Sequence, residues 1–137
     1  MRLKDVKSTK LRKLIKEFIS WYPLLSQKDF ALGRCWDMTE EFIKTLEQSD
    51  YKGEYRAIEV HSLPDYTKHV DSHWVAWVDG LHIDFTAKQF HCSFAFPRLW
   101  RGKHGCKLER LTKKLKNTIG IDSWIDVWEY CPIRKGK

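Results

Sequence analysis

Three residues of this chain could cooperate in nucleophilic chemistry: Cys35, His73 and Asp84. An ionised thiol attacks acyl carbons, an imidazole moves the proton, and a carboxylate can hold the imidazole in one tautomer and stabilise its charged form. Cys35 follows Gly33-Arg34 in "ALGRCWDMTEEFIKTL". It heads a run in which Met38, Phe42, Ile43 and Leu46 fall at helical spacing, so the pattern predicts a helix over 35–48. A thiol in a first helical turn meets unpaired amide hydrogens and the positive end of the helix dipole, and both favour the thiolate. The same amides could serve an oxyanion. Asp37, Glu40 and Glu41 share that turn and are expected to face solvent. The competing reading of Cys35 is a small buried hydrophobe, the usual fate of a free cysteine.

His73 and Asp84 come together through "HWVAWVDGLHIDFTAKQF", residues 73 to 90. Asp79-Gly80 between two apolar stretches predicts a two-residue hairpin of type I′. That loop pairs Val78 with Leu81, Ala76 with Ile83 and Trp74 with Phe85, an all-apolar face that belongs against a core. The opposite face then carries His73, Val75 and Trp77 on one strand, and His82, Asp84 and Thr86 on the other. His73 stands opposite Thr86 and diagonal to Asp84, within reach of a long side chain. A slip of one residue would put polar groups on the apolar face. A surface ion pair is the bland alternative for His73 and Asp84.

The surrounding pattern supplies the elements that must hold these groups. Residues 8–21 predict an amphipathic helix with Leu11, Leu14, Ile15, Phe18 and Ile19 on one face, Ser8 or Thr9 as cap, and Pro23 as stop. Residues 24–34 read as a loop closing at Gly33. A strand is expected over 54–63, the hairpin over 73–86, a short basic helix over 107–117 ending before Gly120, and a last strand over 123–131. Helices first and strands later predict one α+β domain over 1–137, N-terminal helices packed on an antiparallel sheet, with a basic tail from about 132.

The order Cys, His, Asp resembles the papain-like and transglutaminase-like superfamily of cysteine hydrolases and acyltransferases. More narrowly, "GRCWDMTEEF" followed by the 73–90 motif is similar to small papain-fold proteins of bacteria and their phages. These share a G-x-C helix start and a strand pair of the form H-x-W-V-x-V-D-G-x-x-x-D-x-T-x-x-Q-F. The resemblance covers roughly residues 20–100. It implies Cys35 as nucleophile, His73 as general base and acid, and Asp84 as the orienting group. It also implies an upstream oxyanion donor, for which Gln27 is the candidate. Gln89 matches a recurrent glutamine and would brace the loop after Asp84. Trp36 and Trp77 are candidates to line the cleft, whereas Trp74 belongs to the core face.

Composition bounds the rest. The chain has 137 residues, 42% of them apolar, and seven tryptophans. No stretch approaches the ~20 apolar residues of a membrane span. The charged start has no apolar signal region after it, so a cytoplasmic location is expected. Cys35, Cys92, Cys106 and Cys131 form no C-x-x-C pair and are expected to be reduced. With His91 and His104 they lack the paired spacing of structural zinc sites, so neither metal nor cofactor is expected. The net charge of +7 is concentrated at the ends, in 1–20 and in 98–116. The expected protein is a monomeric thiol hydrolase or acyltransferase of protease, deamidase or transglutaminase type. Its expected partner is an acidic or acid-rimmed protein, contacted through the lysines near 107–116. Two other functions fit the pattern: a non-enzymatic phage or host interaction protein on the same scaffold, and a nucleic-acid binder using 98–116 with Trp100.

Overall fold

The structure, a computed structural model, describes residues 1–60, 63–68, 70 and 73–102. The helix expected over 107–117 and the strand expected over 123–131 lie outside the described residues, as do the tail, His104, Cys106 and Cys131.

Helix α1, Thr9–Trp21, starts as its cap chemistry requires: Ser8 Oγ accepts from the Leu11 N–H at 3.1 Å. Its apolar stripe buries Leu11, Leu14, Ile15 and Phe18. Each such side chain contributes about 1.5–3 kcal/mol relative to exposure. The segment expected to be a loop over 24–34 is instead mostly helical. A 3-10 turn spans Pro23–Ser26 and helix α2 spans Lys28–Ala31. Pro23 ends α1 and also opens the next turn, because its fixed φ suits a first helical position. Leu25 and Ala31 are fully buried, and these two apolar anchors hold the segment to the core. Gly33 at φ 80° makes the bend that releases the chain into helix α3, Cys35–Gln48. Helix α3 buries Met38, Thr39, Phe42, Ile43 and Leu46.

Strands β1 (Tyr55–Val60), β2 (His73–Val78), β3 (Leu81–Asp84) and β4 (Arg98–Arg101) form one sheet in that order, each pair antiparallel. The α+β class with helices and a four-stranded antiparallel sheet agrees with the sequence pattern. The β2–β3 register is Val78 with Leu81, Trp77 with His82 and Ala76 with Ile83. Asp79 and Gly80 take φ 48° and 90°, the two positive values that a type I′ turn needs. The turn is also tied down from outside. Asp79 Oδ1 accepts from the Glu54 N–H at 2.9 Å, Oδ2 from the Tyr51 hydroxyl at 2.8 Å, and its own N–H donates to Glu54 O at 2.8 Å. Burial and the Asp79 carboxylate together push the Tyr51 phenol up to about 12.

Both faces of the sheet are covered. Helices α1 and α3 pack on the face of Ala76, Val78, Leu81, Ile83 and Leu99. Phe18 lies 5.2 Å from Phe42 and 4.6 Å from Phe85, ring to ring, at the centre of that layer. On the other face, Ile58, Val60, Val75, Trp77 and Trp100 form a second apolar cluster with Leu63 and Val70, flanked by Tyr66, Phe90 and Phe94. The hairpin's second face is therefore an interior, with His73, His82, Asp84 and Thr86 all buried in it. Among the described residues, no helix is long and apolar enough to cross a membrane.

Candidate active site

Cys35 is the first residue of α3, His73 the first of β2 and Asp84 the last of β3. The hairpin register and the packing of α3 against β2 bring the three to one end of the sheet. His73 Nε2 lies 2.7 Å from Asp84 Oδ2, with His73 1% exposed and Asp84 0% exposed. A carboxylate only accepts, so Nε2 carries the proton of this bond. The ring's other nitrogen, Nδ1, is left for the hydrogen bond between His73 and the Cys35 thiol. The Cys35 sulfur also accepts from the backbone N–H of Trp74.

The electrostatics follow from this geometry. Burial of Cys35 disfavours its thiolate, and Asp84 repels it. The His73 hydrogen bond, the imidazolium charge and the Trp74 N–H outweigh both, so the thiol lies below its ordinary 9.0. Burial of His73 disfavours the imidazolium. The Asp84 charge and hydrogen bond, helped by Cys35, outweigh that and raise the imidazole to about 9. The pair thus favours a thiolate beside an imidazolium. Asp37 and Glu41 of the first turns of α3 are exposed, as expected, and Glu40 is half-buried.

A second layer steadies Asp84. Its Oδ1 accepts from the Thr86 N–H at 3.0 Å and stands 3.4 Å from Thr86 Oγ1. Gln89 Nε2 donates to Thr86 Oγ1 at 3.0 Å. Gln89 therefore reaches Asp84 through Thr86 and braces the segment after β3. Arg98 pairs with Asp84 across the β3–β4 register, on the same face of the sheet, and its charge acts on the carboxylate. The sequence pattern merges Arg98 with a basic run and hides this placement; only its alternation with Leu99 in a short strand could have separated it.

Other expected positions move. Trp77 is no cleft residue: it is 7% exposed in the second apolar cluster, because that side of the hairpin is an interior and not a surface. Trp74, expected in the core, is half-buried and meets Trp36 edge to face at 4.8 Å. The reason is position along the strand. Trp74 lies at the end of β2 next to the start of α3, beyond the central aromatic layer. Gln27 is exposed at the start of α2, where its side chain makes no cap hydrogen bond. Trp100 is 8% exposed and stacks on His82 at 4.7 Å with the planes 4° apart, so its ring is not free for a base. Cys92 is an exposed free thiol. Among the described residues, no three His, Cys, Asp or Glu side chains group as a metal site. No protein-family model, no curated protein and no solved structure matches the chain.

Proposed function

We propose that the protein is a thiol-dependent hydrolase or acyltransferase on a papain-like or transglutaminase-like fold, with Cys35 as nucleophile, His73 as proton carrier and Asp84 as its orienting acid. The observation that carries the reading is the buried His73 ring, hydrogen-bonded to Asp84 by one nitrogen and to the Cys35 thiol by the other. A structural cysteine has no need of a charged, oriented imidazole, which costs desolvation to bury.

In this reading the Cys35 thiolate attacks the carbonyl carbon of a peptide, isopeptide or glutamine amide. The C–S bond forms, the C=O π pair moves to oxygen, and first-turn amides of α3 stabilise the oxyanion. The His73 imidazolium gives its Nδ1 proton to the leaving nitrogen as the C–N bond breaks, leaving a thioester. Water or an amine then attacks the thioester carbon, His73 takes the incoming proton, and the C–S bond breaks to restore the thiolate. The acceptor decides between protease or deamidase and transglutaminase chemistry. A protein substrate suits the half-buried Trp36 and Trp74 rings beside Cys35 and His73.

Iodoacetamide labelling at mildly acidic pH, followed by peptide mass spectrometry, tests the reading. Fast labelling of Cys35 with slow labelling of the exposed Cys92 is the expected result, and His73→Ala should abolish the difference. Equal rates at the two thiols would refute it.

A further inference from the structure

Asp84 has a second cationic neighbour besides His73. Arg98, the first residue of β4, stands across the register from Asp84, the last residue of β3, on the same face of the sheet. Its guanidinium is fixed by neutral groups. Nη2 donates to Pro64 O, the central carbon lies 4.0 Å from the centre of the Phe94 ring, and Nη1 is buried with no hydrogen-bond partner. The anions that act on this cation are Asp84 and, after it, Asp65. Asp65 is exposed, so water and salt screen it. Asp84 is 0% exposed and is the buried countercharge.

From α3 to β4 the row therefore alternates in sign: Cys35 thiolate, His73 imidazolium, Asp84 carboxylate, Arg98 guanidinium. These four charges sum to zero. In the thioester state the sulfur is neutral and His73 has given its proton to the leaving nitrogen. Asp84 and Arg98 then remain, and they again sum to zero. Without Arg98 the thioester state would leave a buried carboxylate facing a neutral ring. An unpaired buried charge is costly, so the carboxylate would resist the departure of the His73 proton. We infer that Arg98 is a positioning residue of the site, the standing cation that balances Asp84 while His73 is neutral. This role presupposes the thiol-enzyme reading of the site. The remaining neighbours of the row do not supply that charge. His73 meets Val60 across the register and the Phe90 ring edge to face at 4.7 Å, and Asp84 Oδ1 meets the neutral Thr86. His82, two residues before Asp84 on the same face, has its Nδ1 3.2 Å from Trp100 O. Arg56 is buried on the same face, but it stands on β1, beyond Trp77 and two strands from β3. At the start of α3, Arg34 and Asp37 are exposed.

The test follows the His73 ring by NMR in the full chain carrying carbon-13 histidine, assigned by His73→Gln and titrated through neutral and alkaline pH. The upper step of the Cys35–His73 pair, loss of the imidazolium proton, is expected at about 9 in the unaltered chain. Removing a cation beside Asp84 tightens the hold of the carboxylate on that proton, so Arg98→Met should raise the step by about half a pH unit or more. Arg98→Lys keeps the charge and should leave the step near its native value. Asp84→Asn gives the opposite sign, a lowered step. A residue that merely kept Asp84 in place would, when lost, loosen the His73 bond and lower the step as Asp84→Asn does. A lowered or unmoved step in Arg98→Met would overturn the assignment, as would an equal rise in Arg98→Lys. If Arg98→Met does not fold, Arg98→Gln, neutral and able to reach towards Pro64 O, takes its place under the same criteria. Failure of both neutral variants to fold, with Arg98→Lys folded, supports the need for the charge. Failure of Arg98→Lys as well makes the role one of packing and overturns the assignment. The readout needs no turnover, so its outcome is separate from the Cys35 labelling that tests the enzyme reading.

Discussion

His73 and Asp84 are eleven positions apart in sequence, yet Nε2 and Oδ2 meet at 2.7 Å in a buried bond across the end of the β2–β3 hairpin. That bond fixes which imidazole nitrogen faces Cys35. A neutral amide at position 84 could not balance the imidazolium and would offer either an oxygen or an NH₂ to Nε2. Asp84→Asn is therefore expected to lower kcat by roughly 10⁴-fold, against roughly 10⁶-fold for Cys35→Ala or His73→Ala. Single-turnover rates on an amide or thioester probe measure this. A folded Asp84→Asn protein as inert as Cys35→Ala would show that Asp84 does more than orient the ring.

The His73 shift has a definite sign for stability. The ring goes from 6.5 in an unfolded chain to about 9 in the fold, so the folded state holds a proton the unfolded state releases. Its contribution is complete below 6.5 and is lost as pH rises through about 9. The melting-temperature advantage of the native chain over His73→Gln should shrink between those two values. The thiol acts in the opposite direction: its lowered value contributes stability above 9.0 that is lost as pH falls through its folded value. Cys35→Ser should therefore narrow its stability deficit at acid pH.

Thr86 links Gln89 to Asp84 through one hydroxyl. Thr86→Val keeps the volume but leaves the Gln89 amide and one Asp84 lone pair without their partner. The expected cost is about 1–3 kcal/mol of stability, read by urea denaturation. Activity should fall less than in Asp84→Asn, because the Thr86 backbone N–H still holds Oδ1 at 3.0 Å. Gln89→Leu should give the milder version of both effects, and equal stability of all three proteins would remove the bracing role.

Trp36 and Trp74 follow Cys35 and His73 in sequence and contact each other edge to face at 4.8 Å. Such a pair contributes about 0.5–1.5 kcal/mol beyond its area. Trp36→Ala should raise KM for a protein substrate several-fold while leaving kcat on a small thioester probe nearly unchanged. Equal losses on both substrates would assign the pair to holding α3 in place.

Local chemistry determined much of this protein. Apolar spacing and the Ser8 cap set α1, the same spacing set α3 from Cys35 to Gln48, and Asp79-Gly80 with its apolar flanks set the hairpin register. These are short-range signals, and the register alone places His73 and Asp84 on one face. Tertiary packing decided what alternation cannot encode, namely which surfaces end up covered. The second face of the hairpin reads as mixed and half polar in sequence. It is an interior because Leu63, Tyr66, Val70, Phe90 and Phe94 close over it, and so Trp77 and Trp100 are buried. Trp74 reads as core by alternation yet lies half-buried against Trp36, because α3 begins beside that end of β2. Arg98 reads as one more charge in a basic run and becomes, through a strand pairing fourteen residues away from Asp84, the neighbour of the site's carboxylate. Periodicity states which way a side chain points, and only the long-range contacts state what it meets there.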